Sequence, residues 1–231
     1  MHIKDICERA GISYDSSDKY RLLEVKTGVL RGLDVSVYLK DYYDCHEMRL
    51  ARLLYESTGK VLSDFIDEAQ IKKSGVSLVT LYQAVDLIKA DKEYKWLFEE
   101  DMSDRCISCR MELAMRGIDV KVCPPNADSI SIHSLLGALR KSKSEDLHIL
   151  SKDVSIGGNL FALKAISLGI PESLIRELTV TNRGIKKLAQ LVYCAEYGVD
   201  ATRFYESSYT ADDVREYMGS VLEGDDFDYK F

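Results

Sequence analysis

Arg31-Gly32-Leu33-Asp34-Val35-Ser36-Val37-Tyr38 is the stretch on which the fold turns, because versions of it return along the chain. Arg116-Gly117-Ile118-Asp119-Val120 reaches Cys123, Gly169-Ile170-Pro171 reaches Ile175, and Tyr197-Gly198-Val199-Asp200-Ala201 reaches Phe204. In each, an aliphatic residue follows the glycine, Asp or Pro stands next, and an apolar side chain stands six positions after the glycine. This order describes a junction between two helices. Glycine takes the left-handed conformation that ends one helix, the aliphatic residue packs back on its last turn, and Asp caps the next short helix. Pro171 suits the first turn of a helix for its own reason, its preset φ. Gly32, Gly117, Gly169 and Gly198 are thus expected to carry positive φ, with Asp34, Asp119, Pro171 and Asp200 opening the next short helix.

Outward from these junctions, long amphipathic segments alternate with short ones. Asp18 to Leu30 is expected to turn Tyr20, Leu23 and Leu30 inward. Asp44 caps a helix with Met48, Ala51 and Leu54 inside, which stops at Gly59 before a piece reaching Phe65. Residues 67–75 read as connection. Ser77 opens a helix through Leu81 and Val85, and a second piece holds Trp96, Leu97 and Phe98. Ser103 starts the helix that ends at Gly117, and residues 129–141 form the next. Gly157-Gly158 reads as a break before Leu160 to Leu168, and further helices run from Asn182 to Tyr197 and through Val214, Tyr217, Met218, Val221 and Leu222. The spacings follow a 3.6-residue period, and no segment of useful length alternates with period two. The expected fold class is all-α.

Gly32 and Gly59 lie 27 residues apart, Gly169 and Gly198 lie 29 apart, and the longer intervals hold about two such units. Ala90, six before Trp96, and Lys143, six before Ile149, are candidates for degenerate junctions. A long helix with a short one cannot bury its apolar face alone, so a solenoid-like array of 27–29-residue repeats is expected. The expected organisation is one helical domain over 1–222, with residues 1–16 as its cap, subdivision near 67–75 and 124–128, and an acidic tail over 223–231.

The segment from Tyr20 to Met48, with Leu23-Glu24-Val25, Gly32-Leu33-Asp34-Val35-Ser36, Tyr38 and Tyr43, resembles short helical repeats in largely uncharacterised proteins of gut Firmicutes and their mobile elements. The resemblance spans about thirty residues and is fainter from Ile185 to Val214; Cys123 and Pro171 depart from it. It implies a helical repeat of mobile-element or phage origin and brings no catalytic residues with it.

The chain of 231 residues is long enough for a sizeable core, and three prolines barely interrupt it. Its net charge of −7, with both signs scattered throughout, argues against a dedicated polyanion surface. No apolar run approaches the roughly 20 residues of a membrane span, so no membrane partner is expected. The start, Met1-His2-Ile3-Lys4-Asp5, is unlike a signal peptide, and six dispersed cysteines point to a reducing, cytoplasmic setting.

Cys106-x-x-Cys109 with Cys123 and His133 downstream offers four zinc ligands in number and type. The competing reading, which we take as the expectation, places Cys106 and Cys109 with Leu113 on the inward stripe of a helix as small hydrophobes. Neither metal nor cofactor is then called for. No nucleophile elbow, phosphate loop or His-Glu-x-x-His pattern occurs, and a non-enzymatic protein is expected.

Ile3 to Ser13 is similar to the first helix and turn of helix-turn-helix domains in LacI-type regulators, which makes DNA binding the alternative function. Tyr14 to Asp18 supplies few groove-reading donors. The favoured reading is a scaffold that binds a protein partner, with an inhibitor of a host defence protein as the form the resemblance implies. The candidate contacts are Tyr42 and Tyr205 in the inter-helix loops and Asp225, Asp226, Phe227, Asp228, Tyr229 and Phe231 in the tail. Tyr43 and Tyr209 recur at one distance after Gly32 and Gly198 and read as structural.

Overall fold

The computed structural model describes residues 2–71, 77–99 and 101–223. Among them there is no strand, and the chain is all-helical. It divides into two compact units, residues 1–100 and 101–231, so the subdivision points expected near 67–75 and 124–128 each fall inside a unit.

The first unit holds α1 (Ile3–Arg9), α2 (Lys19–Leu30), α3 (Val35–Tyr38), α4 (Cys45–Thr58), α5 (Glu68–Ile71), α6 (Leu78–Lys89) and α7 (Trp96–Glu99). The second holds α8 (Asp104–Met115), α9 (Ser129–Lys141), α10 (Ile156–Ser167), α11 (Glu172–Thr179), α12 (Asn182–Glu196) and α13 (Ala211–Glu223). 3-10 segments at Leu62–Asp64, Val120–Val122, Ser144–Ile149 and Thr202–Tyr205 take the place of a short helix in four of the links. Each long helix packs on the next long helix of its unit: α2 on α4 and α4 on α6, then α8 on α9, α9 on α10, α10 on α12 and α12 on α13.

Gly32, Gly117, Gly169 and Gly198 carry φ of 75°, 76°, 79° and 70°. All four close their helix with one pair of bonds. The glycine N–H reaches back three residues, as from Gly32 to the Val29 carbonyl at 2.9 Å, and the next N–H reaches back five, as from Leu33 to the Gly28 carbonyl at 3.0 Å. These bonds satisfy carbonyls that a helix end leaves open. Asp34, Asp119 and Asp200 then accept from the N–H two residues on, at 3.1, 2.9 and 2.9 Å. Pro171 stands just before α11.

Asp91, rather than Ala90, is a further junction. It is the one non-glycine among the described residues with positive φ, 55°; its neighbour Lys92 donates to the Leu87 carbonyl, and Glu93 accepts from the Lys95 N–H at 2.9 Å. Asp tolerates this conformation better than other side chains do. At Lys143 the chain is extended, and α9 ends without a left-handed residue.

The next long helix of each unit opens at a side-chain cap twelve residues after Gly32 (Asp44), Gly169 (Thr181) and Gly198 (Thr210), and twelve after Asp91 stands Ser103. Twelve residues can span about 40 Å, ample to return along a helix of about 18 Å. Within each unit the links do return, so neighbouring long helices of a unit run parallel. Arg105 near the start of α8 bonds Ser129 at the start of α9, and Arg116 just past α8 donates to the Ser142 carbonyl just past α9 at 3.2 Å. Lys60 past α4 pairs with Asp91 past α6 at 3.4 Å.

Link carbonyls without helical partners are met by buried polar side chains of the long helices. Arg110 Nε donates to the Cys123 carbonyl at 2.8 Å, Lys187 Nζ to the Glu206 carbonyl at 2.6 Å, and Asn159 Nδ2 to the carbonyls of Ser151 and Val154 at 2.8 and 3.0 Å. Burial holds the Lys187 amine below its ordinary pKa.

Three expectations fail. Tyr20, Leu23 and Leu30 are 73, 54 and 76 % exposed, and α2 instead buries Val25 and Gly28. Gly28 faces the Tyr38 hydroxyl, which leaves no room there for a larger side chain, and Glu24 on the same side meets the buried Arg52 at 2.8 Å. A polar pair and a glycine contact thus outrank the apolar stripe. Gly157 and Gly158 do not break the chain: both lie in the first turn of α10, capped by Ser155, and a Cβ on Gly158 would stand 2.6 Å from Val154 Cγ1. The segment 67–75, read as connection, contains α5, and 72–76 lie outside the described residues.

Candidate functional site: a groove at the ends of α9, α10 and α12

The core of the second unit runs through Leu113, Ile132, Leu135, Leu163, Ile175, Leu188, Val192 and Val214. Parallel packing brings the C-terminal ends of α9, α10 and α12 together, and between them lies a groove of about 760 Å³. That volume is in the range of sites that hold a ligand or a peptide segment. Its wall on α9 includes the small side chains of Ser134 and Ala138. Ser134, Gly137, Ala138 and Lys141 stand at helical spacing on the side opposite Ile132, Leu135 and Leu139, and nothing lies within 4 Å of where a Gly137 Cβ would stand. On α10 the lining is apolar, with Leu160, Phe161, Leu163 and Ile166.

Tyr193 of α12 stands edge-on to Phe161 at 6.1 Å. Lys164 on α10 and Glu196 on α12 form an ion pair at 2.9 Å across the groove. Lys141, Lys143 and Asp146 complete the rim, so the charged lining holds three lysines against two carboxylates. The site therefore offers an apolar strip beside an aromatic edge, with exposed amines along one margin.

The residues singled out in the sequence lie elsewhere. Tyr42 is 41 % exposed and stands edge-on to Tyr43, while Tyr43 is buried, in keeping with a structural role. Tyr205 packs partly buried against the core, and burial raises its pKa; Tyr209, read as structural, is 38 % exposed against Phe204. Loop position alone did not distinguish which tyrosine the link turns outward. Asp225, Asp226, Phe227, Asp228, Tyr229 and Phe231 lie outside the described residues.

Cys106, Cys109 and Cys123 are all buried, with Cys106 Sγ 3.8 Å from Cys123 Sγ. The fourth ligand of the alternative zinc set, His133, is exposed and lines the groove instead. Among the described residues no group of three or more His, Cys, Asp or Glu is arranged to hold a metal ion. The Cys106 contact draws the Cys123 thiol pKa down, but the Cys109 contact and burial outweigh it and hold the thiol at about 12. Such a thiol is an inert core group.

Near the helix-turn-helix-like segment, Arg21 at the start of α2 is held by Asp18 at 3.9 Å, by the Asp41 carboxylate at 3.5 Å and by the Asp41 carbonyl at 2.7 Å. Among the described residues no helix is long and apolar enough to cross a membrane.

The sequence reading did not single out Phe161 or Tyr193. The small-residue face Ser134-Gly137-Ala138 was a readable signal, since a glycine in mid-helix costs stability unless something uses the space. The chain matches no protein-family model, no curated protein and no solved structure.

Proposed function

We propose that this chain is a helical-repeat binding protein, and that the groove over α9, α10 and α12 receives a segment of a partner protein. The repeat is a long helix, a left-handed junction and a short returning link. Its support is the recurrence of one set of interactions after Gly32, Asp91, Gly117 and Gly198: the back-bonded helix end, the acidic cap two residues on, and a buried side chain six residues on, namely Tyr38, Leu97, Cys123 and Phe204. Packing of each long helix on its neighbour fits an array, in which units extend a shared face without needing a reaction pocket.

The observation that carries the binding reading is the groove itself, where an apolar strip, an aromatic edge and exposed lysines converge on open space. Interfaces draw their energy from such buried aromatic and aliphatic anchors inside a polar rim. The resemblance to mobile-element proteins makes bacterial proteins the pool in which to seek the partner. Gly137→Arg fills the groove from a position with free space, so the fold should survive. Wild type immobilised against bacterial lysate should retain one stoichiometric protein that Gly137→Arg releases. The same proteins retained by both, with circular dichroism unchanged, would overturn the groove as the binding surface.

A further inference from the structure

We propose that the outer face of α2 seats one acidic amphipathic helix of a partner protein, at a site separate from the groove of the second unit. The spacing of its apolar residues, its place in the first unit and the charges beside it each bear on that occupant.

α2 buries Val25 and Gly28 and turns Glu24 to Arg52 of α4, which leaves Tyr20, Leu23 and Leu30 exposed on its other side. Single apolar residues on a surface are ordinary, but three large ones on one side of a twelve-residue helix form a stripe. With the half-buried Thr27 they stand at 20, 23, 27 and 30, a spacing of three, four and three. Such a stripe is narrower than the face by which a helix lies on a core, and it matches the seam on which a second helix packs its knobs into holes. Ten residues of helix rise about 15 Å, so the seat follows about three turns.

Position agrees with spacing. Within the first unit α4 packs on a long helix to either side, α2 and α6, whereas α2 packs on one long helix, α4, and on the short α1 and α3. Ile6 and Ala10 of α1 stand by Val29 and Leu33, and the stripe is left open. One more long helix on the stripe would extend the stack of the unit.

Charge selects the kind of helix. By helical spacing Lys19 and Lys26 flank one margin of the stripe and Arg31 flanks the other. Both lysines are exposed, and no described carboxylate pairs with either. Arg31 pairs with Glu56 but keeps half of its side chain exposed. The carboxylate of Glu24 is turned inward, and that of Asp18 caps the helix and pairs with Arg21. The stripe thus lies between cations, and glutamates at the flanking positions of a partner helix would meet them. A second copy of this chain laid stripe to stripe would set like charges together in either direction, which opposes self-pairing. An anionic lipid surface takes a broader apolar face and more cations than two unpaired lysines.

The test uses the full chain and a fluorescein-labelled synthetic peptide of about three heptads, with leucine at its seam positions and glutamate beside them. A second peptide carries lysine in place of each glutamate. Wild type should bind the acidic peptide at least about tenfold more tightly than the basic one, with the preference shrinking as salt is added. Leu23→Ser with Leu30→Ser should weaken acidic-peptide binding about tenfold or more while circular dichroism stays unchanged. Lys19→Glu with Lys26→Glu should reverse the preference between the two peptides, a result that loss of fold could not produce. Gly137→Arg, in the groove, should bind the acidic peptide as wild type does.

Equal affinity for the two peptides, no binding of either, or a preference that the lysine variant does not reverse overturns the proposal. Loss of acidic-peptide binding in Gly137→Arg assigns the peptide to the groove and overturns it too. Self-association of wild type that vanishes in the leucine variant overturns it in favour of a second copy. Sedimentation with phosphatidylserine vesicles that requires Leu23 and Leu30 overturns it in favour of a lipid surface.

Discussion

Gly137 and Gly184 lie in neighbouring parts of one unit, and alanine at the two positions should act in opposite directions. In a helix, alanine is favoured over glycine by about 0.8–1.0 kcal/mol. At Gly137 of α9 nothing lies within 4 Å of the new Cβ, so the gain is unopposed and Gly137→Ala should stabilise the unit by about 1 kcal/mol. At Gly184, in the first turn of α12, the Cβ would stand 2.2 Å from the Leu178 carbonyl oxygen and 2.9 Å from its carbonyl carbon. These are backbone atoms of α11 and cannot rotate aside. Relief requires α11 to move, which disturbs Ile175 and Leu178 in the core. Overpacking of this kind costs about 1–3 kcal/mol, so Gly184→Ala should lose about 1–2 kcal/mol net. The two variants should then differ by about 2–3 kcal/mol. Trp96 lies in the other unit, so a probe within the second unit itself is needed. The measurement is therefore native-state hydrogen exchange of α11 and α12 amides, supported by far-ultraviolet circular dichroism in urea. A Gly184→Ala chain as stable as wild type would show that α11 does not pass over that position as described, and a destabilised Gly137→Ala chain would remove the claim of open space on α9.

Two further outcomes rest on particular contacts. Gly198→Val places a β-branched side chain at φ 70° with nothing to clash against, so its whole cost is backbone strain of about 1–2 kcal/mol or more; a loss below about 0.5 kcal/mol in urea denaturation would mean the link closes without a left-handed residue. His148 holds Glu172 at 2.9 Å through Nε2 and the Glu145 carbonyl at 2.5 Å through Nδ1, and those two bonds raise its pKa above 6.5, opposed by Arg176 nearby. Because the folded-state value is the higher one, the stabilisation is fully present below the unfolded pKa and is lost as pH rises through the folded one. Glu172, held below 4.5 by His148 and Arg176, loses its share as pH falls through its own folded value. The stability advantage of wild type over His148→Gln should therefore be larger at about pH 5.5 than at about pH 8.5, and an imidazole titrating by NMR at or below 6.5 would contradict the clasp.

Local chemistry was legible in the linear sequence. Helix caps at Asp44, Ser77 and Ser103 and the four left-handed glycines depend on a residue and its neighbours within about six positions, so the sequence alone determined them. The 3.6-residue period gave α9 its observed bounds, 129–141, because Ile132, Leu135, Leu136 and Leu139 recur on one buried face. Only the tertiary structure decided which side of α2 goes inward, since Gly28 and Glu24 are chosen by Tyr38 and Arg52, and Arg52 lies 28 residues from Glu24. It likewise decided that Gly158 continues a helix, because Val154 and Ile185 occupy the space a side chain would need. The groove belongs to the same class. Its walls come from α9, α10 and α12, its cross-link joins Lys164 to Glu196, 32 residues away, and parallel stepping of the helices brings together residues that no local pattern connects.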